Sequence, residues 1–239
     1  MQNQTEQVIK IMRKNGGYAT FGQLNVLVDV SLWKTKTPYA SIRRIVQQND
    51  AFFKVRPGLW ALNELKDVVL EKFQLKTKDE IKEISFTHSY YQGLVVEIGN
   101  MKKLQTYIPP QDKNKLFLEK PLKELASLQK IHDFTYPEIL NRATSVDVIW
   151  FNDRKLPHSF FEIEHSTDIQ NSLTKFYELQ DYYARFYIVA PQIRKKQFEV
   201  IMNKSIFLPL KHRVDFFNYD FLALQYSKMF ELSNISQLI

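Results

Sequence analysis

Three carboxylates in the second half of the chain have types and spacing that could bind a metal ion. Asp147 stands in the apolar run VDVIWF, where a buried strand is predicted and an unpaired carboxylate would carry a large desolvation cost. Glu162 and Glu164 follow in FFEIEHSTDI, and the period of two along a strand turns both side chains to one face. If the two strands form a hairpin, Asp147 faces this pair, in an oxygen-rich cluster of the kind that suits Mg²⁺.

Each part of this pattern also has an ordinary structural interpretation. Asp147 could be a hydrogen-bonded aspartate at a strand end, and a Glu-x-Glu pair on a strand is usually a solvent-facing pair. An aspartate in a buried strand followed by Glu-x-Glu in the next strand favours the metal site.

Polar residues continue directly after the second glutamate. A nucleophilic serine at 166 activated by His165 is not supported, because neighbouring strand residues point to opposite faces. We expect the hydroxyls to contact a phosphate or to cap the helix that begins near Ile169, with Asp168 as an alternative cap. His165 and Ser166 are therefore predicted contacts to the phosphate of a bound partner.

Alternating helices and strands must position these residues, which predicts a mixed α/β domain. The predicted strands are LQTYIPP, SVDVIWF, SFFEIEHS, ARFYIVAP and HRVDFF, and the predicted helices are 85–103, 121–129, 169–182, 192–203 and a terminal helix from Tyr219. Lys175 and Gln180 on the helix over 169–182 could approach a substrate backbone, but a solvated helix face is the favoured interpretation of both.

The first 62 residues form a separate, basic pattern. Residues 1–63 carry a net charge of +6 out of the +7 of the whole chain, which favours a polyanionic partner over a merely solubilising surface. Helices are predicted over 5–14 and 21–30, and Thr37-Pro38 starts a third with the hydroxyl as N-cap. FFKVRPGLWAL then predicts two strands joined by Pro57-Gly58.

WKTKTPYASIRRIV followed by FFKVRPGLWAL resembles the winged helix-turn-helix of the HARE-HTH type, over residues 1–62. The resemblance implies that the third helix enters the major groove of DNA, although some members of such families mediate only protein contacts. The implied DNA-contacting residues are Lys34, Lys36, Tyr39, Ser41, Arg43, Arg44, Lys54 and Arg56.

The carboxylate pattern, over about residues 85–205, resembles the PD-(D/E)xK nuclease superfamily in a Glu-x-Glu variant. The resemblance implies Mg²⁺, with Mn²⁺ as a substitute, bound by Asp147 and Glu162, and Glu164 either as a further ligand or as the group that accepts a proton from the attacking water. Glu97 matches in position a helix glutamate that many members bring to the metal. The chain departs from the family in Val146, where a proline is usual, and in Glu164, where a lysine is usual.

Composition excludes several other classes. The absence of cysteine removes disulfides, thiolate zinc sites and thiol catalysis, and it fits a reducing cytoplasm. No apolar run approaches the length of about 20 residues that a membrane span needs, and the polar N-terminus does not fit a signal peptide. We expect a cytoplasmic protein without an organic cofactor.

Together these patterns predict an Mg²⁺-dependent endonuclease of type II restriction type that cuts duplex DNA, sequence- or modification-specifically, as a homodimer. The predicted domains are a winged helix-turn-helix over 1–62, a helical linker over 63–83 and a nuclease domain over 84–239. The alternatives are a DNA-binding regulatory protein on a non-catalytic nuclease scaffold, and a nuclease acting on RNA or on repair and recombination intermediates.

Overall fold

A computed structural model describes residues 3–75 and 80–236. Contacts between residues group the chain into two compact units, the first made of residues 1–82 with 223–239 and the second of residues 83–222. The predicted division at 62/63 and 83/84 stays a prediction, and residues 76–79 of the predicted linker lie outside the described residues. The predicted α/β class, with a mixed sheet flanked by helices, is confirmed.

Short helices and a small antiparallel sheet build the first unit. Its elements are α1 (Gln4–Lys14), β1 (Tyr18–Thr20), α2 (Phe21–Leu27), α3 (Pro38–Gln48), β2 (Phe52–Arg56), β3 (Leu59–Leu62) and α4 (Lys66–Lys72). The strand order is β1-β3-β2, and Gly58, with a φ of +84°, makes the turn of the predicted hairpin. The apolar stripes of the helices meet in one core around Met12, Leu24 and Ile42.

Three details of this unit differ from the prediction. Strand β1 was not predicted, because three residues are too few to show a period of two. Helix α2 ends at Leu27 instead of Val30, since Val28 already has an extended backbone. Thr37 precedes α3 as predicted, but its side chain accepts no capping hydrogen bond.

A mixed sheet forms the centre of the second unit. The remaining elements of the chain are α5 (Glu80–Met101), β4 (Gln105–Tyr107), β5 (Leu116–Phe117), β6 (Lys120–Pro121), α6 (Leu122–Leu125), α7 (Pro137–Ala143), β7 (Val148–Phe151), β8 (Pro157–Ile163), α8 (Ile169–Glu178), β9 (Arg185–Ala190), α9 (Lys195–Met202), β10 (Val214–Asn218) and α10 (Tyr219–Ser236). Most of α10, from residue 223 on, belongs to the first unit. The order β10-β9-β8-β7-β4 joins parallel pairs on one side of β8 to antiparallel pairs on the other.

The register of the β7–β8 hairpin decides which carboxylates can meet. Val148 pairs with Phe161, and continuing this antiparallel register by one residue sets Asp147 opposite Glu162. All residues of β7 are buried, because helices cover the central strands on both faces. The predicted hairpin is therefore present, with Asp147 just before β7 and Glu164 just after β8.

Two stretches of the second unit were predicted wrongly. The helix predicted over 121–129 is reduced to α6, because Ala126 turns to an extended backbone and Leu128 N–H donates to the Thr106 carbonyl. Helix α7 was not predicted. Within the described residues, no helix has the combination of length and apolar character that a membrane span requires.

Candidate active site

Asp147 and Glu162 meet at the open end of the β7–β8 hairpin. The Asp147 Oδ2 atom accepts a hydrogen bond of 2.7 Å from the backbone N–H of Ile163, the residue between the two glutamates. This bond fixes the Asp147 carboxylate against the Glu-x-Glu peptide. The other oxygen, Oδ1, lies on the side of His88. The structure thus brings together the two residues that were predicted to bind the metal ion.

Glu162 is almost fully buried, and helix α8 supplies its partners. Lys175 Nζ lies 2.9 Å from both Glu162 oxygens and also donates to the carbonyl of Ser145 at 3.1 Å. Ser172 Oγ donates to Glu162 Oε2 at 3.1 Å. Residues 172 and 175 are three apart, so one face of α8 carries both side chains to the carboxylate. Lys175 is therefore part of the site, and its interpretation as a solvated side chain was wrong.

Glu164 is also buried, and the groups that donate hydrogen bonds to its carboxylate are neutral. The hydroxyls of Thr167 and Ser172 donate to its two oxygens. Arg194 donates to the Glu164 backbone carbonyl at 2.9 Å, and its guanidinium lies 3.8 Å from the carboxylate. Because Ser172 has one hydroxyl proton and contacts both glutamates, it can donate to only one of them at a time.

Helix α5 and the segment after β4 bring further polar groups to Asp147. His88 Nε2 lies 3.6 Å from Asp147 Oδ1 and 3.7 Å from Asp112 Oδ2, which is too far for hydrogen bonds. Lys115 Nζ lies 2.5 Å from Asp112 Oδ1. The Gln92 amide donates to Asp112 Oδ2 at 3.0 Å and to the Asp147 carbonyl at 2.7 Å. None of His88, Gln92 and Asp112 was predicted as a site residue from the sequence.

Burial and like charge act together on the carboxylates. Burial, and then the charge of Asp147, hold the pKa of Glu162 well above its usual value. Burial also raises the pKa of Asp147, against the opposing effect of His88. Burial alone would lower the pKa of His88, but Asp147 and Asp112 outweigh it and raise that pKa. Asp112 is also penalised by burial, yet His88 and Lys115 lower its pKa to about 2.

These shifts bear on whether a divalent cation fits. Because the pKa values of Asp147 and Glu162 are both raised, additional positive charge nearby would favour the ionised form of each carboxylate. Carboxylate oxygens are the donors that Mg²⁺ accepts, so the residues present fit the predicted ion in chemistry and in charge.

Glu97 does not join this cluster. It lies nine residues after His88 on α5, and at about 100° per residue the helix turns it to the opposite side. Burial, and secondly the charge of Glu97, raise the pKa of Tyr90 on that side. Its predicted catalytic role has no support from its position.

The predicted DNA contacts of the first unit separate into two groups. Lys34, Lys36, Arg44 and Lys54 are exposed, and Tyr39 and Arg56 are half-buried. Ser41 is buried and donates to the Thr37 carbonyl.

Arg43 belongs to the second group, with Ser41. Its Nη2 donates to Ser227 at 3.1 Å and to Glu231 at 2.7 Å, and its guanidinium lies over the ring of Phe21. The structure therefore uses Ser41 and Arg43 within the unit.

The polar residues that follow Glu164 also differ in exposure. Ser166 is exposed, whereas the His165 ring stacks on Tyr219, with Nδ1 3.4 Å from its hydroxyl. Asp168 caps α8 by accepting from Gln170 N–H at 2.9 Å, which confirms the alternative cap.

Comparison with known proteins relates this chain to type II restriction enzymes. The type II restriction enzyme NmeDI of Neisseria meningitidis serogroup C is 29% identical over 137 residues, covering 52% of this chain and 39% of the relative. The chain therefore spans less than half the length of that relative, and no solved structure matches it. The model of the family described as "Type II restriction enzyme NmeDI C-terminal domain" matches residues 68–238, which contain the acidic cluster of Asp112, Asp147, Glu162 and Glu164. Since the match extends over more than half of the chain, the protein belongs to this family.

Proposed function

We propose that this protein is a metal-dependent endonuclease of restriction type that hydrolyses phosphodiester bonds in double-stranded DNA. The observation that carries the proposal is the group formed by the buried Glu162 with the partly buried Asp147 and Lys175, in a chain of the NmeDI family. An ionised carboxylate with little access to water is costly unless it serves binding or catalysis.

Asp147 and Glu162 would hold Mg²⁺, or Mn²⁺ in its place. When bound, the ion would supply a Lewis acid that polarises the scissile phosphate and lowers the pKa of a water molecule. Asp147 is oriented for this task by the Ile163 N–H, and Glu162 by Lys175 and Ser172. Glu164 would fill the third position of the PD-(D/E)xK pattern, as in its Glu-x-Glu variant.

Lys175 provides the ammonium group that relatives of this pattern usually carry at the position of Glu164. It comes from α8 instead of β8, but its Nζ reaches both oxygens of Glu162. A positive charge held there would stabilise the negative charge that develops on the phosphate during attack. Glu164, which Thr167 contacts through its hydroxyl and which shares the Ser172 hydroxyl with Glu162, would complete the ligand set or accept the proton of the attacking water.

The basic residues of the first unit would bind the substrate. Lys34, Lys36, Arg44 and Lys54 are exposed on α3, the segment before it and the β2–β3 hairpin, as a winged helix of the HARE-HTH type would require. Cutting both strands of a duplex with one active site per chain favours a homodimer whose two-fold axis matches that of the DNA.

Cleavage of plasmid DNA tests the proposal. We expect Mg²⁺ to support fragmentation of unmethylated or methylated plasmid and EDTA to abolish it. Glu162→Gln should reduce the rate by at least about a thousandfold, the size of effect that removal of a group stabilising the transition state has elsewhere. Glu178→Gln, which changes an exposed carboxylate on the same helix, is the matched control and should cut normally.

The pattern of products separates the alternatives. Discrete fragments support a restriction enzyme, and a ladder independent of sequence supports a nuclease of broader substrate range. Absence of cleavage on every DNA tested, with DNA binding retained, would leave the regulatory scaffold as the function.

A further inference from the structure

We propose that His88, Asp112 and Asp147 form a second cation site, which takes a divalent ion of the transition series such as Mn²⁺, Co²⁺ or Zn²⁺. One nitrogen and two carboxylate oxygens from these residues lie within 4.8 Å of one another. The site shares Asp147 with the proposed Mg²⁺ site, but ion binding by His88 and Asp112 is measured without DNA cleavage, whereas a part in cleavage would rest on the proposed function.

The two aspartates are held so that one oxygen of each faces the imidazole. Asp147 Oδ2 accepts from Ile163 N–H, which leaves Oδ1 as the atom 3.6 Å from His88 Nε2. Asp112 Oδ1 is paired with Lys115, which leaves Oδ2 as the atom 3.7 Å from the same nitrogen. Partners that fix the distal oxygen of a ligand are the usual support of a metal site.

The spacing of these atoms fits an ion better than it fits a hydrogen bond. Two ligand atoms that are each about 2.1 Å from one ion at a tetrahedral angle lie about 3.4 Å apart. The two distances from His88 Nε2 are slightly longer than this value, and both exceed the range of a hydrogen bond. The third spacing, between the carboxylate oxygens of Asp112 and Asp147, is within 4.8 Å, so binding of all three atoms to one ion requires adjustment of an aspartate side chain as well as of the imidazole.

Gln92 gives an independent indication of a ligand at this point. Its side chain is completely buried, and its amide nitrogen donates to Asp112 and to the Asp147 carbonyl. Its Oε1 atom and the Nε2 atom of His88 are buried, and neither has a hydrogen-bond partner among the described residues. Buried polar atoms normally have partners, and a bound ion with its water ligands would provide them.

The nitrogen donor selects the kind of ion. Mg²⁺ prefers oxygen ligands only, whereas imidazole with carboxylates suits Mn²⁺, Co²⁺ and Zn²⁺. With a neutral imidazole, the charges of Asp112, Asp147 and Lys115 sum to a net negative value, which also favours a cation.

Titration of the complete protein with Co²⁺ by calorimetry, without DNA or Mg²⁺, tests this site. We expect His88→Gln and Asp112→Asn each to weaken Co²⁺ binding by about tenfold or more, as loss of a group that holds the metal does elsewhere. His212→Gln, which removes an exposed histidine of the same unit, should bind as the wild type does. Equal affinity in the wild type and both site variants, or no Co²⁺ binding by the folded wild type, would overturn the proposal.

A second measurement on the wild type covers variants that fail to fold. With ¹⁵N-labelled histidine, diamagnetic Zn²⁺ should shift the Nε2 signal of His88 by direct coordination and leave the ring signals of the other four histidines in place. An unchanged His88 Nε2 signal at saturating Zn²⁺ would also overturn the site. Cobalt binding that depends on His88, in a protein that cuts no DNA, refutes only the proposed function; cleavage with Mg²⁺ together with cobalt binding independent of His88 refutes only this inference.

Discussion

The charged side chains of the acidic cluster in the second unit are buried or partly buried, whereas those on the basic surface of the first unit are exposed. Around Glu162 the charges are buried, and each oxygen has a named partner. On α3, the segment before it and the β2–β3 hairpin, Arg44, Lys36 and Lys54 are exposed to solvent. Buried charges depend on geometry and fail when one partner is lost, whereas exposed charges act through their sum and are screened by salt.

This difference ranks the expected effects of substitution. Removing one member of the acidic cluster should affect folding and cleavage strongly. Removing one exposed cation should weaken DNA binding slightly and leave the fold unchanged.

Lys175→Met should have the largest effect on stability. It leaves the Glu162 carboxylate buried beside Asp147 without its cation, and breaking such a pair costs about 3 kcal/mol or more in the free energy of unfolding. Urea denaturation measures this loss. We also expect DNA cleavage to be lost, since the ammonium beside Glu162 is removed.

The double variant Glu162→Gln/Lys175→Met sharpens this result. It removes both charges, so stability should recover towards that of the wild type while cleavage stays absent. If the single Lys175 variant is as stable as the wild type, the buried pair does not have the energetic role that its contacts indicate.

Ser172→Ala should have an intermediate effect. The hydroxyl contacts both Glu162 and Glu164, and a hydrogen bond to a charged group contributes about 1.5–3 kcal/mol. Thr174→Ala on the same helix is the control, because its exposed hydroxyl donates only to the backbone carbonyl of Gln170 and should change stability by less than about 0.5 kcal/mol. Equal melting temperatures for the two variants would contradict the bridging role of Ser172.

The sequence predicted the two strands that position the carboxylates, but it did not predict the side chains that helices bring to those carboxylates. Asp147 in an apolar run and the period of two at Glu162 and Glu164 identified the hairpin and its facing carboxylates, because strand geometry is local. The partners of Glu162 depend on how α8 packs on the sheet. Lys175 occupies a polar position of an amphipathic helix, where a solvated side chain and a buried partner have the same pattern.

Helix α5 is a second case in which tertiary packing decides which side chains reach the carboxylates. A match to a family pattern favoured Glu97, whereas the packed helix presents His88 and Gln92 to the carboxylates. Asp112 stands in the polar segment PPQDKNK, which is typical of an exposed loop, yet it is buried. The helix wheel could have separated Glu97 from His88, but only tertiary packing decides which of these faces meets the sheet.

Arg43 and Arg44 allow the smallest effects to be compared within one helix. Arg44 is exposed, so Arg44→Ala should weaken binding to duplex DNA by about fivefold, equivalent to an exposed charge pair of about 1 kcal/mol. The slope of log affinity against log salt should fall by about 1, as loss of one phosphate contact requires. Fluorescence anisotropy at several salt concentrations measures both quantities.

Arg43→Ala should act on the fold instead of on DNA. Its guanidinium is half-buried and bonds to Ser227 and Glu231, so its loss should lower the free energy of unfolding by about 1 kcal/mol and leave the salt slope unchanged. A lower salt slope in the Arg43 variant, with unchanged stability, would mean that this arginine leaves Glu231 to meet the phosphates. The contrast between paired and exposed charges would then fail within the first unit, because a residue held by its own chain would behave as one of the DNA contacts.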